Sequence, residues 1–192
     1  KYFYANPLRM NHGQRDYSDH CDCTESADRE SYIECFCCPP NLVRTIAQLS
    51  AWAYSITDNG VAVNLFGANE LNTQLIDGSS LKLVQKTQYP WKGHIEFTVQ
   101  ECKSDAFEIQ IRIPAWAKNA EVMVNGTSIS HSVVPGQYLV IEQNWQANDV
   151  ITVNLPMDIQ FVEGHPRIEE IRNQVAIKRG PLVYCVESPD LP

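Results

Sequence analysis

Apolar side chains recur with a helical period only in the first third of the chain. Five of them follow one another at spacings of four, three, four and three residues, which places them on one helix face. They are Leu42, Ile46, Leu49, Ala53 and Ile56. Pro40 suits a first helical turn, where its missing N–H would have no partner, and Asp58-Asn59-Gly60 is a stop and turn signal. The pattern predicts one helix over residues 40–56.

After residue 60 the period of the pattern changes to two, which is typical of strands with one buried face. Nine segments follow it, and a tenth over residues 182–186 extends the set. The nine cover residues 61–66, 81–86, 94–100, 107–113, 121–125, 138–142, 150–155, 159–163 and 175–178. Asn125-Gly126 is a tight-turn dipeptide, and prolines stand at strand ends. Short strands with frequent turns and no intervening helix predict an antiparallel β-sandwich.

The predicted fold class is therefore mostly β: a polar, irregular segment over residues 1–38, one helix, and then the sandwich. Residues 1–60 are too few to build a core of their own, and their single apolar stripe needs partners. The sequence predicts a division into residues 1–60 and residues 61–192.

Composition and charge exclude several classes of partner. The 192 residues carry 15 Lys and Arg against 23 Asp and Glu, a net charge of −8. An acidic chain without a basic run predicts no nucleic-acid partner. No apolar stretch approaches the roughly 18–20 residues of a membrane helix, so no membrane association is expected. The first residue is Lys1, and we expect the chain to begin within a longer polypeptide. No compartment is predicted, because a targeting signal would lie upstream.

Seven cysteines are the chemical peculiarity of the chain, and five of them lie between residues 21 and 38. Cys37 and Cys38, the cysteine pair, stand just before the predicted helix, whose N-terminal dipole favours an anion such as a thiolate. Three interpretations remain open. The cysteines are purely structural, or Cys21, Cys23, Cys35 and one member of the pair form a local zinc site. Alternatively, one of the pair is a catalytic thiolate that also binds a metal.

Residues 37–47, CCPPNLVRTIA, resemble the double-cysteine motif of glycoside hydrolase family 127, the β-L-arabinofuranosidases and their relatives. Further segments resemble the same family in the same order along the chain. They are 2–8 (YFYANPL), 63–66 (VNLF), 89–91 (YPW), 111–116 (IRIPAW), 124–126 (VNG), 155–157 (LPM), 165–167 (HPR) and 178–184 (KRGPLVY). Each segment is short, but together they span nearly the whole chain.

The resemblance implies an (α/α) helical barrel followed by β-sandwich domains. Residues 1–60 would then be the C-terminal remnant of the barrel, and residues 61–192 the middle sandwich. The resemblance also implies that Cys37 is a nucleophile that touches zinc and that Cys38 is a zinc ligand. The implied cofactor is Zn²⁺, and the reaction is retaining hydrolysis with a thiolate in place of the usual carboxylate. The implied substrates are β-L-arabinofuranosides or related plant-glycan sugars, as small molecules or oligosaccharides.

The remaining functional residues of the family lie upstream of its double cysteine. They are a Glu-x-Cys pair that binds zinc and a general acid/base Glu, and no matching segment precedes Cys37 here. We therefore predict that this chain alone is inactive and binds zinc weakly, and that its partner is the missing barrel domain of the same polypeptide. A homodimer is left open.

Two other functions compete with this one. They are a non-catalytic carbohydrate-binding or interdomain sandwich, and a zinc-binding structural module. Trp91, Trp116 and Trp145 could form a platform on which sugar rings stack, or they could fill core corners of the sandwich.

Overall fold

Strands dominate the secondary structure, as the alternating pattern predicts. The computed structural model describes residues 37–102, 106–129 and 132–186, except the side chain of Glu170. These residues form one α-helix, thirteen strands and a short 3-10 helix. They divide into two units: residues 48–158, and residues 37–47 together with 159–186. The predicted irregular segment lies almost wholly outside the described residues.

Helix α1 spans Cys38–Trp52 and is shifted relative to the prediction. It begins two residues before residue 40 and ends four residues before residue 56, so the predicted last turn is wrong. Tyr54–Thr57 instead forms strand β1, which pairs with the next strand across Asp58 and Asn59. Tyr, Ile and Thr favour strands, and the carbonyl of Ala53 already accepts the N–H of Asn64 at 2.9 Å. The predicted turn at residues 58–60 is confirmed.

Every predicted strand has a counterpart, and three observed strands were not predicted: β1, β3 and β8. The remaining strands after β1 are β2 Gly60–Val63, β3 Asn69–Gln74, β4 Ser80–Thr87, β5 His94–Cys102, β6 Phe107–Arg112, β7 Glu121–Val124, β8 Thr127–Ser128, β9 Tyr138–Gln143, β10 Val150–Asn154, β11 Ile159–Glu163, β12 Val175–Arg179 and β13 Leu182–Tyr184. The tight turn at Asn125 and Gly126 joins β7 to β8, and both residues have positive φ angles, as that turn requires.

Two sheets build the unit of residues 48–158. One has four strands in the order β1-β2-β6-β9, and the other has six in the order β3-β4-β5-β10-β7-β8. Neighbouring strands are antiparallel, with one exception: β2 and β6 run parallel, with Gly60–Val63 beside Glu108–Ile111. This pair departs from the predicted antiparallel pairing, because β6 returns to the first sheet after three strands of the second.

The core of this unit lies between its sheets and follows the predicted alternation. In β4, the side chains of Leu81, Leu83 and Gln85 are almost completely buried, whereas their neighbours along the strand are partly or fully exposed. Trp145 is also a core residue, 3% exposed, and its ring N–H donates to the carbonyl of Phe107 at 2.9 Å. Burial of these side chains is the main stabilising contribution to the sandwich.

Strands β11, β12 and β13 form an antiparallel three-stranded sheet in the other unit. The same unit contains the 3-10 helix Glu169–Ile171 and the turn at His165, where the N–H of Ile168 donates to the His165 carbonyl at 2.9 Å. Within the described ranges, no helix has the length and apolarity to cross a bilayer.

Candidate functional site

The cysteine pair stands at the N-terminus of α1. The carbonyl of Cys37 accepts the N–H of Asn41 at 3.3 Å, which makes Cys37 the N-cap and Cys38 the first helical residue. Both side chains are exposed, and their sulfur atoms lie 3.4 Å apart. The chain therefore presents two neighbouring sulfur atoms at the positive end of a helix dipole, where negative charge is favoured.

Proline shapes this helix end. Pro39 and Pro40 occupy the second and third helical positions, so two of the backbone N–H groups that would otherwise lack a partner do not exist. The first turn is tied further by Asn41, whose side-chain oxygen accepts from the guanidinium of Arg44 at 3.3 Å. The hydroxyl of Thr45 donates to the Asn41 carbonyl at 3.0 Å. These contacts hold the first turn of α1 directly behind the two thiols.

The spacing of the two sulfur atoms agrees with shared binding of one zinc ion. Zn–S bonds of about 2.3 Å at a tetrahedral angle place two sulfur ligands about 3.8 Å apart, close to the 3.4 Å found here. A protein zinc site needs three or four protein ligands. The part of the chain that the structure describes holds no cluster of three His, Cys, Asp or Glu side chains suited to a metal. Cys21, Cys23 and Cys35 lie outside that part, so a local zinc site remains a prediction.

A groove of about 560 Å³ is the second candidate feature, and it lies wholly within residues 48–158. We call it the Arg112 groove, after the one Lys or Arg side chain in its lining. Its lining consists of Leu49, Ser50, Ala53, Asn64, Leu65, Phe66, Gly67, Asn69, Tyr89, Arg112, Pro114, Ala115 and Trp116. Three of the segments that carry the family resemblance, residues 63–66, 89–91 and 111–116, thus meet in one place. Sequence reasoning missed the groove, although this shared resemblance was the signal that could have indicated it.

Polar contacts fix one rim of the Arg112 groove. The amide oxygen of the buried Gln85 accepts the N–H of Gly67 at 3.0 Å, and its nitrogen donates to the hydroxyl of Tyr54 at 3.1 Å. That hydroxyl in turn donates to Asn69, whose side-chain nitrogen donates to the Gly67 carbonyl at 2.9 Å. A satisfied network around one buried side chain holds the chain between β2 and β3 in one conformation.

Replacing Gln85 with Leu tests this network. We expect the free energy of unfolding to fall by about 1–3 kcal/mol, because the half-buried N–H of Gly67 and the hydroxyl of Tyr54 lose their hydrogen bonds to Gln85. Gln100→Leu is the matched control, since Gln100 is exposed on β5, and we expect a change within about 0.5 kcal/mol. Urea denaturation followed by tryptophan fluorescence measures both variants. Equal losses for the two would show that the network contributes nothing specific.

Tyr89 and Arg112 both line the groove, and their side chains interact electrostatically. Burial raises the pKa of the Tyr89 phenol, and the positive charge of Arg112 acts in the opposite direction. Arg112 is exposed, and among the described residues no carboxylate forms an ion pair with it. The ring of Tyr89 packs edge-on against Phe66 with 5.6 Å between ring centroids. The groove therefore combines aromatic walls with one cation.

The three tryptophans do not form a common sugar platform. Trp116 lines the Arg112 groove, whereas Trp145 is buried in the core and Trp91 is 67% exposed outside the groove lining. The core-corner interpretation is confirmed for Trp145 and wrong for Trp91.

Cys102 differs from the cysteine pair in its surroundings. Burial raises the pKa of the Cys102 thiol, the charge of Asp149 raises it further, and the thiol donates to the Trp145 carbonyl at 3.1 Å. Because the thiolate is the reactive form, we expect iodoacetamide at pH 8 to modify Cys102 at least about tenfold more slowly than the exposed pair. Peptide mass spectrometry over time measures the rates, and equal rates would contradict the expectation.

In this chain, a helix that begins at a cysteine pair is followed along the sequence by a two-sheet sandwich. Comparisons with known proteins identify the family. Residues 60–157 match the model of the "Beta-L-arabinofuranosidase, GH127 middle domain", and residues 159–192 match the "Glycoside hydrolase family 127 C-terminal domain". The chain belongs to glycoside hydrolase family 127. The match to the middle domain ends at residue 157, and the match to the C-terminal domain begins at residue 159. The predicted division at residue 60 stays a prediction.

Individual relatives agree with this assignment. A non-reducing end β-L-arabinofuranosidase of Bifidobacterium longum subsp. longum is 32% identical over the whole chain, which covers 29% of that protein. A solved glycoside hydrolase is 40% identical with a TM-score of 0.81, over 95% of this chain and 29% of its own. The β-L-arabinofuranosidase Ara127N of Geobacillus stearothermophilus T6 is 32% identical with a TM-score of 0.77, over 95% of this chain and 28% of its own. This chain thus spans less than a third of these relatives.

Proposed function

We propose that this chain is part of a zinc-dependent retaining glycoside hydrolase that releases L-arabinofuranose or a related plant-glycan sugar, with Cys37 as its nucleophile. The observation that carries the proposal is the exposed pair of sulfur atoms, 3.4 Å apart at the N-terminus of α1, in a chain of this family. The B. longum relative is a non-reducing end β-L-arabinofuranosidase, which supports the choice of sugar.

The proposed chemistry takes place in two displacements at the anomeric carbon of the sugar. In the first, the thiolate sulfur of Cys37 forms a bond to that carbon while the bond to the glycosidic oxygen breaks, and the leaving oxygen takes a proton from a general acid. In the second, water attacks the same carbon, the carbon–sulfur bond breaks, and the general base takes the proton of the water. Two inversions give net retention of configuration.

Cys37 and Cys38 are the residues that would hold the zinc ion. When bound, zinc keeps the thiols deprotonated and fixes their orientation. The N-terminal dipole of α1 favours negative charge at the same place, and the tie between Asn41 and Arg44 holds the first turn that carries Cys38. Further ligands and the general acid/base would come from the part of the polypeptide that this chain does not include.

Comparing this 192-residue chain with the full-length protein tests the proposal. We expect the full-length protein to hydrolyse an aryl β-L-arabinofuranoside with retention, as followed by NMR of the first-formed sugar. We expect turnover by the chain alone to be at least about 1,000-fold lower, because it lacks the acid/base and positioning groups that contribute most of the rate. Robust turnover by the chain alone, or inversion by the full-length protein, would overturn it.

A further inference from the structure

Helix α1 has an apolar face that nothing in the described residues covers. None of its residues is buried, and Leu42 and Ile46 are about 60% exposed. A 15-residue helix is marginal in water without tertiary packing of its apolar side. The helix therefore needs a partner surface in the folded protein.

The Arg112 groove begins where this helix ends. Leu49 and Ser50, from its last turn, form one side, and Leu49 is 43% exposed. Asn64 ties the end of the helix to the sandwich: its side-chain nitrogen donates to the Trp52 carbonyl at 3.1 Å and to the Ser55 hydroxyl at 2.8 Å. The hydroxyl of Tyr138 donates to the Asn64 oxygen at 2.7 Å. Because every polar atom of this amide side chain has a partner, the groove wall is held in place before anything binds to it.

The charge that the groove lining offers to an occupant is positive. The amide groups of Asn64 and Asn69 are engaged within the wall, whereas Arg112 has no carboxylate partner among the described residues. A guanidinium on an apolar, aromatic-lined surface is complementary to a carboxylate that arrives with apolar neighbours. The occupant should therefore be an apolar segment that carries an Asp or Glu.

We propose that the Arg112 groove binds a carboxylate-bearing apolar segment of the same polypeptide, from the part that precedes Lys1. This inference rests on the proposed function, in which that part completes the enzyme. Two observations favour it over a foreign partner. The chain covers only 28–29% of its relatives, so a large part of each relative has no counterpart here. The groove also adjoins the last turn of α1, which precedes the family match that begins at residue 60.

Photo-crosslinking in the full-length protein tests directly whether an upstream segment binds in the Arg112 groove. Benzoylphenylalanine replaces Trp116, an aromatic for an aromatic, and in a control it replaces Ile76, an exposed residue outside the groove lining. After irradiation and trypsin digestion, we expect the label at position 116 to join a peptide from ahead of Lys1 that contains Asp or Glu, and the label at position 76 to join no such peptide. A crosslink to a second copy, a crosslink only within residues 1–192, or no protein crosslink at position 116 would overturn the proposal.

Reversing the charge gives an independent measurement. We expect Arg112→Glu to lower the melting temperature of the full-length protein by about 2–4 °C, because it places two negative charges together. We expect no more than about 1 °C in the 192-residue chain, because Arg112 forms no ion pair with a carboxylate of the described residues. Arg167→Glu, at another exposed arginine, serves as the control. Equal shifts of the melting temperature in both proteins would assign Arg112 a local role and overturn the proposed binding of an upstream segment. The activity of Cys37→Ser tests the proposed function separately.

Discussion

Gly93→Ala is expected to lower the free energy of unfolding of this chain by at least about 3 kcal/mol, or roughly 6–12 °C in melting temperature. Gly93 lies beside the end of β10, and its carbonyl accepts the N–H of Leu155 at 2.8 Å. A β-carbon on Gly93 would overlap the carbonyl oxygen of Leu155. Since that obstacle is backbone, no rotamer change can relieve it, and β5 and β10 must separate at this end. Urea denaturation followed by fluorescence gives the change.

Gly67→Ala is the matched control for this prediction. A β-carbon on Gly67 would meet nothing within 4 Å, so the same chemical change should alter the stability by no more than about 0.5 kcal/mol. Gly164→Ala adds an intermediate case, because there the β-carbon would overlap the side chain of Ile171, which can move. A loss for Gly93→Ala no larger than that for Gly67→Ala would contradict the close approach of β5 and β10.

Hydrophobic alternation predicted the strands that have one buried face, because burial imposes a period of two on their sequence. In β4 it identified the face that carries Gln85, a polar residue in the core. The same signal was absent from β3, Asn69–Gln74, whose sequence NELNTQ has one apolar residue and no fully buried one. That strand lies at a sheet edge and is fixed by pairing with β4. Backbone pairing leaves no hydrophobic period, so the sequence could not show it.

The end of α1 was mispredicted because Ile56 continues the helical spacing by chance. Tertiary contacts end the helix. Strand β1 pairs with β2, and the side-chain nitrogen of Asn64 donates to the Trp52 carbonyl at 3.1 Å. Neither contact can be inferred from residues 38–57 alone. The start of the helix was missed by only two residues, since a proline in the first turn limits where a helix can begin.

The two candidate features differ in how far the sequence could predict them. The cysteine pair consists of adjacent residues next to a proline-marked helix start, so composition and spacing located it. The Arg112 groove is assembled from the end of α1, the loop that leads into β3, and residues at or after the ends of β4 and β6. Its parts are up to 67 positions apart, from Leu49 to Trp116, and the sheet topology alone brings them together. Local patterns contain no information of that kind.

Cys37→Ser is expected to lower kcat/KM of the full-length protein by at least about 1,000-fold. A serine hydroxyl stays protonated near neutral pH, whereas a cysteine at a helix N-terminus beside a metal forms a thiolate readily. Cys37 is exposed at the N-cap of α1, and the exchange of sulfur for oxygen changes the volume of its side chain little. The fold should therefore survive, and circular dichroism and the melting temperature check that it does. Initial rates on an aryl β-L-arabinofuranoside measure the loss.

Two companion variants distinguish a nucleophile from a sulfur that only binds metal. Cys38→Ser should weaken zinc binding, so its activity should recover in part when zinc is added in excess, whereas that of Cys37→Ser should not. Cys102→Ser should keep activity within about twofold, because the Cys102 thiol contacts the Trp145 carbonyl within the sandwich and a serine hydroxyl can donate to the same carbonyl. If Cys37→Ser retains activity, or recovers it with zinc as Cys38→Ser does, Cys37 is not the nucleophile and the reaction must use another group.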